Sequence, residues 1–246
     1  MPLREEFELS GNWLFRRRSW LPLVLYVFAL CIMLLYPEDT HRSISHTNWG
    51  LFCLGISFLG LVVRAITIGF TPKGTSGRNT EKQVADTLNR TGIYSVVRHP
   101  LYLGNFLMWL GLFLYIGLWW FVLICCLAYW LYYERIMYAE EEFLRKTYGA
   151  EYETWAERTP AFLPALTGWV SSPASFSFKN VLKREYNGLF AMFFSFAALN
   201  AISYFMSDGL FYMDPVWQLL LLLCTGLFVL LRFLRKNTKL LDEPGR

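Results

Sequence analysis

Charge is scarce in this chain: 17% of its 246 residues are Asp, Glu, Lys or Arg, against 55% that are hydrophobic and 18% that are aromatic. That balance argues against an ordinary soluble domain, in which about 25% of residues are charged. Histidine is scarcer still, with three in all, and the five cysteines (Cys31, Cys53, Cys125, Cys126, Cys224) lie inside apolar runs with no CxxC or Cys/His spacing. No disulfide framework, zinc site or other metal centre is expected from that pattern. The net charge of +4 comes without a basic tract, so nucleic acid is not an expected partner. Repeats of fixed period and low-complexity tracts are absent, and the opening MPLREEFELSGNW is too acidic and polar for a cleaved signal peptide.

What fills the chain instead is apolar length. A bilayer core about 30 Å thick needs roughly 20 apolar residues per helix. Six runs approach that length: 19–36, 49–70, 101–116, 118–137, 187–206 and 216–234. The third and fourth are joined at Gly117, which suits a tight helical hairpin. The expected fold is therefore all-α, a polytopic membrane protein with about six transmembrane helices. Lys and Arg collect in alternate loops: Arg16 to Arg18, then Lys73 to Arg90, then Arg135 to Arg184, then Arg232 to Lys239. The intervening loops, PEDTHRSISHTN and SDGLFYMD, hold one Arg between them. Both termini are thus expected on the cytoplasmic side of a multi-pass protein, in a bacterial inner membrane or the endoplasmic reticulum. On that side the sequon Asn89-Arg90-Thr91 would be inert. Three parts are expected: 1–48, an N-terminal segment and first span; 49–166, a functional core; and 167–246, a linker with an added two-helix hairpin.

Two polar clusters flank the expected hairpin on one side. In GIYSVVRHPLYLGN (92–105), Pro100 suits the first turn of a helix and pushes His99 toward extended geometry. A helix N-terminus there, with Arg98 beside it, makes an anion site; read alone, the pair fits a headgroup anchor as well. Beyond the hairpin, AEEEFLRKTYG is helical by composition, and at about 100° per residue at most two of Glu140, Glu141 and Glu142 face one site. Taken singly the acids also fit a solvated helix face. Together the two clusters offer a cation for an anion and an anion for a cation, which suits a zwitterionic ligand. Arg64, about 9 Å inside the second run at 1.5 Å per residue, either snorkels or faces an interior site. The loop KGTSGRN at 73–79 could wrap a phosphate through Lys73, Thr75, Ser76 and Arg78, or serve as a turn that touches headgroups.

From Arg64 to Pro164 the chain resembles the isoprenylcysteine carboxyl methyltransferase and phospholipid methyltransferase superfamily of integral-membrane enzymes. The resemblance rests on RAITIGF, GIYSVVRHPLYLGN, EEEFLRKTYGAEY and RTPAFLP, in which Gly92, Tyr94, Arg98, His99, Pro100, Tyr102, Gly104, Glu140, Glu141, Leu144, Tyr148, Gly149, Tyr152 and Pro164 follow the family order. Trp155 stands where many members have Tyr, Glu142 adds a third acid, and the C-terminal hairpin lies outside the common core. The resemblance implies S-adenosylmethionine as cofactor, held by Tyr94, Arg98, His99, Pro100, Tyr102, Gly104, Glu140 and Glu141, with Arg98 and His99 as catalytic residues. It also implies a lipid or lipidated substrate that enters from the bilayer. Methyl transfer from a sulfonium needs placement more than proton transfer. With His99 as the one neutral-pH base near the site, an anionic oxygen is the expected acceptor, a carboxylate or lipid phosphate. A phospholipid amine is the alternative within the superfamily, and an NADPH-dependent lipid or sterol reductase of similar helical core the alternative outside it. Oligomeric state is not legible.

Overall fold

A computed structural model describes residues 2–72, 87–243 and 245, apart from the side chain at position 21. The loop KGTSGRN, with Lys73, Thr75, Ser76 and Arg78, lies outside the described residues. Among them the structure is all-helical and contains no strand; a single bridge pairs Gly92 with Val170.

The helices begin and end where the chain's punctuation demands. Helix α1 (Leu3–Arg17) has Glu5 and Glu6 in its first turn and Arg16 and Arg17 in its last, which complements the helix dipole. Helix α2 (Val24–Leu35) is followed at once by α3 (Pro37–Ile44), and the axes differ by 110°. Pro37 lacks the N–H that would continue α2, so it starts a new helix instead. The long α4 (Thr47–Phe70) follows. Pro100 is the first residue of α5 (Pro100–Ile116), which ends at Gly117 with φ 83°, a left-handed conformation that glycine adopts without strain. Leu118 alone then separates Gly117 from α6 (Trp119–Tyr148), and Gly149 (φ 53°) turns the chain into α7 (Ala150–Arg158). Ser177 Oγ accepts the Asn180 N–H and caps α8 (Phe178–Asp208), and α9 (Pro215–Asn237) completes the bundle.

Among the described residues four helices, α4, α6, α8 and α9, are long and apolar enough to cross a membrane, and the bent α2–α3 pair raises the number to five. The six runs read from the sequence are all present as helix. The run 101–116, however, forms the 17-residue α5, and 19–36 is shortened by a break before Val24.

Small residues decide which helices meet. Gly60 of α4 lies against Gly104 of α5, where an added Cβ would come within 2.7 Å of the Gly60 carbonyl and 2.6 Å of Arg64 Cγ. One turn and more away, Gly111 lies against Ser57, whose hydroxyl donates to the Met108 carbonyl at 2.8 Å. The helix axes can approach closely there because nothing larger intervenes. On the other side, Gly11 lets α1 pack against Arg135 and Ala139 of α6. The C-terminal hairpin is not a separate body: Trp217, fully buried, stacks on Phe196 at 5.4 Å and meets Tyr115 and Gly50, so α8 and α9 share one apolar core with α4 and α5.

Candidate functional site

The residues before α5 are held by a segment 60 residues further on. Arg98 N–H donates to the Pro160 carbonyl (2.9 Å), His99 N–H to Ala161 (3.1 Å), and Ala165 N–H to Val96 (2.9 Å). Gly92 and Val170 extend the same pairing through a 2.7 Å bond. RTPAFLP thus acts as a backbone strap, anchored by Phe162 against Phe106 and Trp130. Pro100 can be the first helical residue because His99, extended at φ −118°, carries the turn into α5. This fixes the His99 ring in a nearly buried position over Tyr102, with the ring centroids 5.7 Å apart.

The charged end of α6 supplies the acids. Glu141 Oε1 accepts from His99 Nε2 at 2.9 Å and lies 3.0 Å from Arg98 Nε. Glu140 accepts from the Tyr102 hydroxyl at 2.7 Å, lies 3.5 Å from Arg18 Nη1, and faces His99 Nδ1 at 3.7 Å. Glu142 turns away: buried, it pairs with Arg4 at 2.7 Å and with Arg145, and so binds α1 to α6. At 100° per residue, three successive acids cannot share one site. Glu140 and Glu141 face the Arg98–His99 turn, and Glu142 is structural.

Arg98 is turned inward. Its Nη1 donates to the Ala156 carbonyl in the last turns of α7 (2.7 Å), while Nε approaches Glu141 without the alignment of a hydrogen bond. The Tyr152 hydroxyl is likewise buried without a well-aligned partner, beside Glu141. Burial, and then the charge of Glu141, push the Tyr152 phenol well above its usual range. Burial and then Glu140 do the same for Tyr94, which Arg184 partly offsets. Both phenols are therefore proton-bearing donors at neutral pH.

Arg98, His99, Tyr102, Glu140 and Glu141 converge. Tyr94 joins the cluster from its rim, its carbonyl accepting from Trp155 Nε1 at 3.0 Å, and a cavity of about 240 Å³ opens beside it between Thr67, Ile93 and Ser172. Pro100 serves through its backbone. Gly104 lies in the α4–α5 contact. A crevice of about 760 Å³ at the other end of the molecule, between Arg42, His46 and Trp49, touches none of these residues.

Sequence reading missed three partners. Arg18, read as a topology signal, reaches Glu140. Asn105 and Glu185 both hold Arg64: Glu185 accepts from Nε and Nη2 at 2.7 Å each, and Asn105 from Nη1 at 2.6 Å. Arg64 therefore faces an interior site. The signal for Glu185 was available, since a buried arginine at membrane depth calls for an acid, and Glu185 stands two residues before an apolar run.

Chemically, the cluster sets guanidinium, imidazole and phenol donors beside two carboxylates at the end of a bundle of apolar helices. Residues 46–151 match the family model for phospholipid methyltransferase. Among curated proteins the chain is similar to three, over 46% to 63% of its own length. The nickel-cobalt-cadmium resistance protein NccN of Alcaligenes xylosoxydans xylosoxydans is 32% identical over 127 residues, which are 50% of this chain and 57% of that protein. The cobalt-zinc-cadmium resistance protein CzcN of Cupriavidus metallidurans is 29% identical over 161 residues, 63% of this chain and 68% of that one. Protein-S-isoprenylcysteine O-methyltransferase of Schizosaccharomyces pombe is 30% identical over 114 residues, 46% and 48% respectively. The chain thus spans from about half to two thirds of these relatives' lengths. No solved structure matches it significantly. The matched segment holds α4, α5, α6 and every converging residue of the cluster, and over it the chain is similar to the phospholipid methyltransferase family and to the isoprenylcysteine O-methyltransferase.

Proposed function

We propose that this protein transfers a methyl group from S-adenosylmethionine to a lipid or lipidated acceptor, with an anionic oxygen, an isoprenylcysteine-type carboxylate or a lipid phosphate, as nucleophile. The observation that carries the reading is the convergence of Arg98, His99 and Tyr102 with Glu140 and Glu141 at the charged end of an apolar bundle. The residues suit a zwitterion. Two carboxylates can meet an ammonium, the N-terminal turn of α5 can meet a carboxylate, and Arg98 Nε and Tyr152 Oη are buried donors without aligned partners. When bound, S-adenosylmethionine supplies an electrophilic methyl on a sulfonium, which leaves as a neutral thioether.

The chain's own residues then have mainly positional work. Arg98 ties Glu141 to the end of α7, Tyr102 orients Glu140, and the strap at 160–165 keeps the turn rigid. With the site closed to water by bound substrate and cofactor, placement along the line of attack would account for most of the rate. An ionised acceptor arrives ready to attack. An amine would have to lose a proton, and His99, whose Nε2 and Nδ1 both face carboxylates, is placed to donate rather than accept. That geometry favours the acid over the amine acceptor. By the distribution of Lys and Arg the cluster would face the cytosol.

Membranes from cells that express the protein, incubated with S-adenosylmethionine labelled in its methyl group, are expected to carry label into the lipid extract. Arg98→Ala and Glu141→Ala should abolish it. Wild-type labelling by both variants, or no label above that of membranes lacking the protein, overturns the reading.

A further inference from the structure

Arg64 is the deepest charged residue of α4, six positions from its end, and three helices meet at its guanidinium. Glu185 of α8 grips it side-on through Nε and Nη2, and Asn105 of α5 accepts from Nη1. An ion pair whose work were only to fasten α8 to α4 would be expected to close on itself. This one is less enclosed on the arginine's side: Glu185 is 7% exposed at its side chain and Arg64 22%. A guanidinium also has more N–H donors than these three bonds use among the described residues.

The position of this partly exposed arginine matters as much as its chemistry. Asn105 follows Tyr102 by three residues, or about 4.5 Å along α5 at 1.5 Å per residue. Tyr102 is the residue that bonds Glu140, and Tyr129 and Tyr133 lie between the two levels: the Tyr129 hydroxyl donates to the Tyr102 carbonyl at 2.9 Å, and its ring stacks on Tyr133 at 4.2 Å. The Arg64 cluster thus lies one helical turn below the proposed cofactor site, on the side toward the apolar interior. A tailed acceptor approaching from the bilayer has to bring its head to that level to meet the methyl group.

We propose that Arg64, fixed by Glu185 and supported by Asn105, binds the acidic head of the methyl acceptor, a carboxylate or a phosphate, with the tail along the apolar helices. This rests on the methyl-transfer reading. Pairing with Glu185 makes an arginine tolerable at membrane depth and sets the plane of its guanidinium, and the N–H groups that remain select a planar or multidentate oxyanion over an alcohol. Arg64 is the binding residue and Glu185, which acts through it, a positioning residue. Glu185 lies outside the segment that matches the family, so acceptor choice would depend on the C-terminal hairpin as well as on the core.

The test uses the full chain in detergent and reads ligand-induced shifts in melting temperature. The probes are S-adenosylhomocysteine, N-acetyl-S-farnesylcysteine, farnesyl phosphate and farnesol. Wild type is expected to respond to at least one acid-headed probe at concentrations where farnesol has no effect, and the acid that works separates carboxylate from phosphate. Arg64→Gln should weaken that acid's binding by about tenfold or more. Glu185→Gln should weaken it less, and both variants should keep the wild-type response to S-adenosylhomocysteine. If Arg64→Gln does not fold, Arg64→Lys, which keeps the charge and loses the planar fork, gives the same reading. Equal responses to acids and farnesol in wild type overturn the inference. So do an acid preference unchanged in the variants and a parallel loss of the S-adenosylhomocysteine response. A wild-type protein that ignores S-adenosylhomocysteine overturns the methyl-transfer reading, and this inference with it.

Discussion

Helix α8 carries a polar cluster near each end, and the two are built on opposite principles. Near its start Glu185 meets Arg64, one turn from the Tyr102–Glu140 bond. About 22 Å further along, at 1.5 Å per residue, Asn200 and Asp214 close on each other. Asn200 Nδ2 donates to Asp214 Oδ2, the Asp214 N–H returns a bond to Asn200 Oδ1, both at 2.9 Å, and the Tyr204 hydroxyl takes the other carboxylate oxygen at 3.0 Å. Asn200 is fully buried, and its Nδ2 also reaches the Tyr115 hydroxyl at 3.4 Å, so these polar groups are satisfied within the bundle. In the first cluster, by contrast, Arg64, Arg98, Glu140 and Glu141 are all 17% to 25% exposed at the side chain, and Arg98 Nε and Tyr152 Oη lack aligned partners. A polar group that is buried and satisfied holds a fold together; one that is sheltered and left incomplete is ready for a ligand.

The sharpest way to break this comparison is to damage each cluster in turn. His99→Ala removes the donor between Glu140 and Glu141 and should lower methyl labelling by about a hundredfold or more, with little change in melting temperature. Asn200→Leu should do the reverse. It leaves Asp214 Oδ2 and the Asp214 N–H without these partners, while Tyr204 keeps Oδ1, at a cost of about 1–3 kcal/mol for each orphaned group. Melting temperature should fall clearly while labelling per folded molecule stays near wild type. Labelling lost in Asn200→Leu at unchanged stability would mean that the far cluster is functional as well.

Gly104 lies between the two effects. An alanine there places a methyl group 2.6 Å from Arg64 Cγ and 2.7 Å from the Gly60 carbonyl. Contacts that short are not tolerated, so the helices must part there, at about 1–3 kcal/mol, and Arg64 must move with them. Gly104→Ala should therefore lower melting temperature and labelling together, and response to an acid-headed probe more than response to S-adenosylhomocysteine. The sequence reading assigned Gly104 to the cofactor; its contacts make it the spacer that lets Arg64 reach Asn105.

How far the molecule was legible follows the same division. Local rules carried the helices, because apolar length, Pro100 and Gly117 act within a few residues of themselves. Helix periodicity also limited the site to at most two of Glu140, Glu141 and Glu142, while the choice of Glu140 and Glu141 came from the resemblance. The break before Val24 was missed because the run 19–36 was counted by hydropathy across Pro22, a residue that cannot continue a helix from the turn before it. Pairings across the sequence were not legible: Arg64 with Glu185 are 121 residues apart, and Arg18 with Glu140 are 122 apart. Each charge was visible in the sequence; its partner depended on how the helices packed. The strap from 160 to 165 escaped for another reason, because its bonds are made by backbone groups that leave no mark on residue type.

The smallest effect tests whether α1 belongs to the working cluster or only borders it. Arg4 pairs with Glu142 at 2.7 Å, but its side chain is 64% exposed, and Glu142 keeps Arg145 when Arg4 is gone. An exposed partner of this kind contributes little, because water and salt screen it and a long side chain must be ordered to form it. Arg4→Ala should leave both melting temperature and methyl labelling within error of wild type. The acid it contacts faces α1, away from His99, so no path leads from Arg4 to the site except through the position of α1 itself, which Gly11, Phe7 and Lys146 also secure. A clear loss of labelling in Arg4→Ala at unchanged stability would show that small movements of α1 reach Glu140 through Arg18. The boundary between the incomplete cluster and the structural contacts around it would then have to be redrawn to include the N-terminal helix.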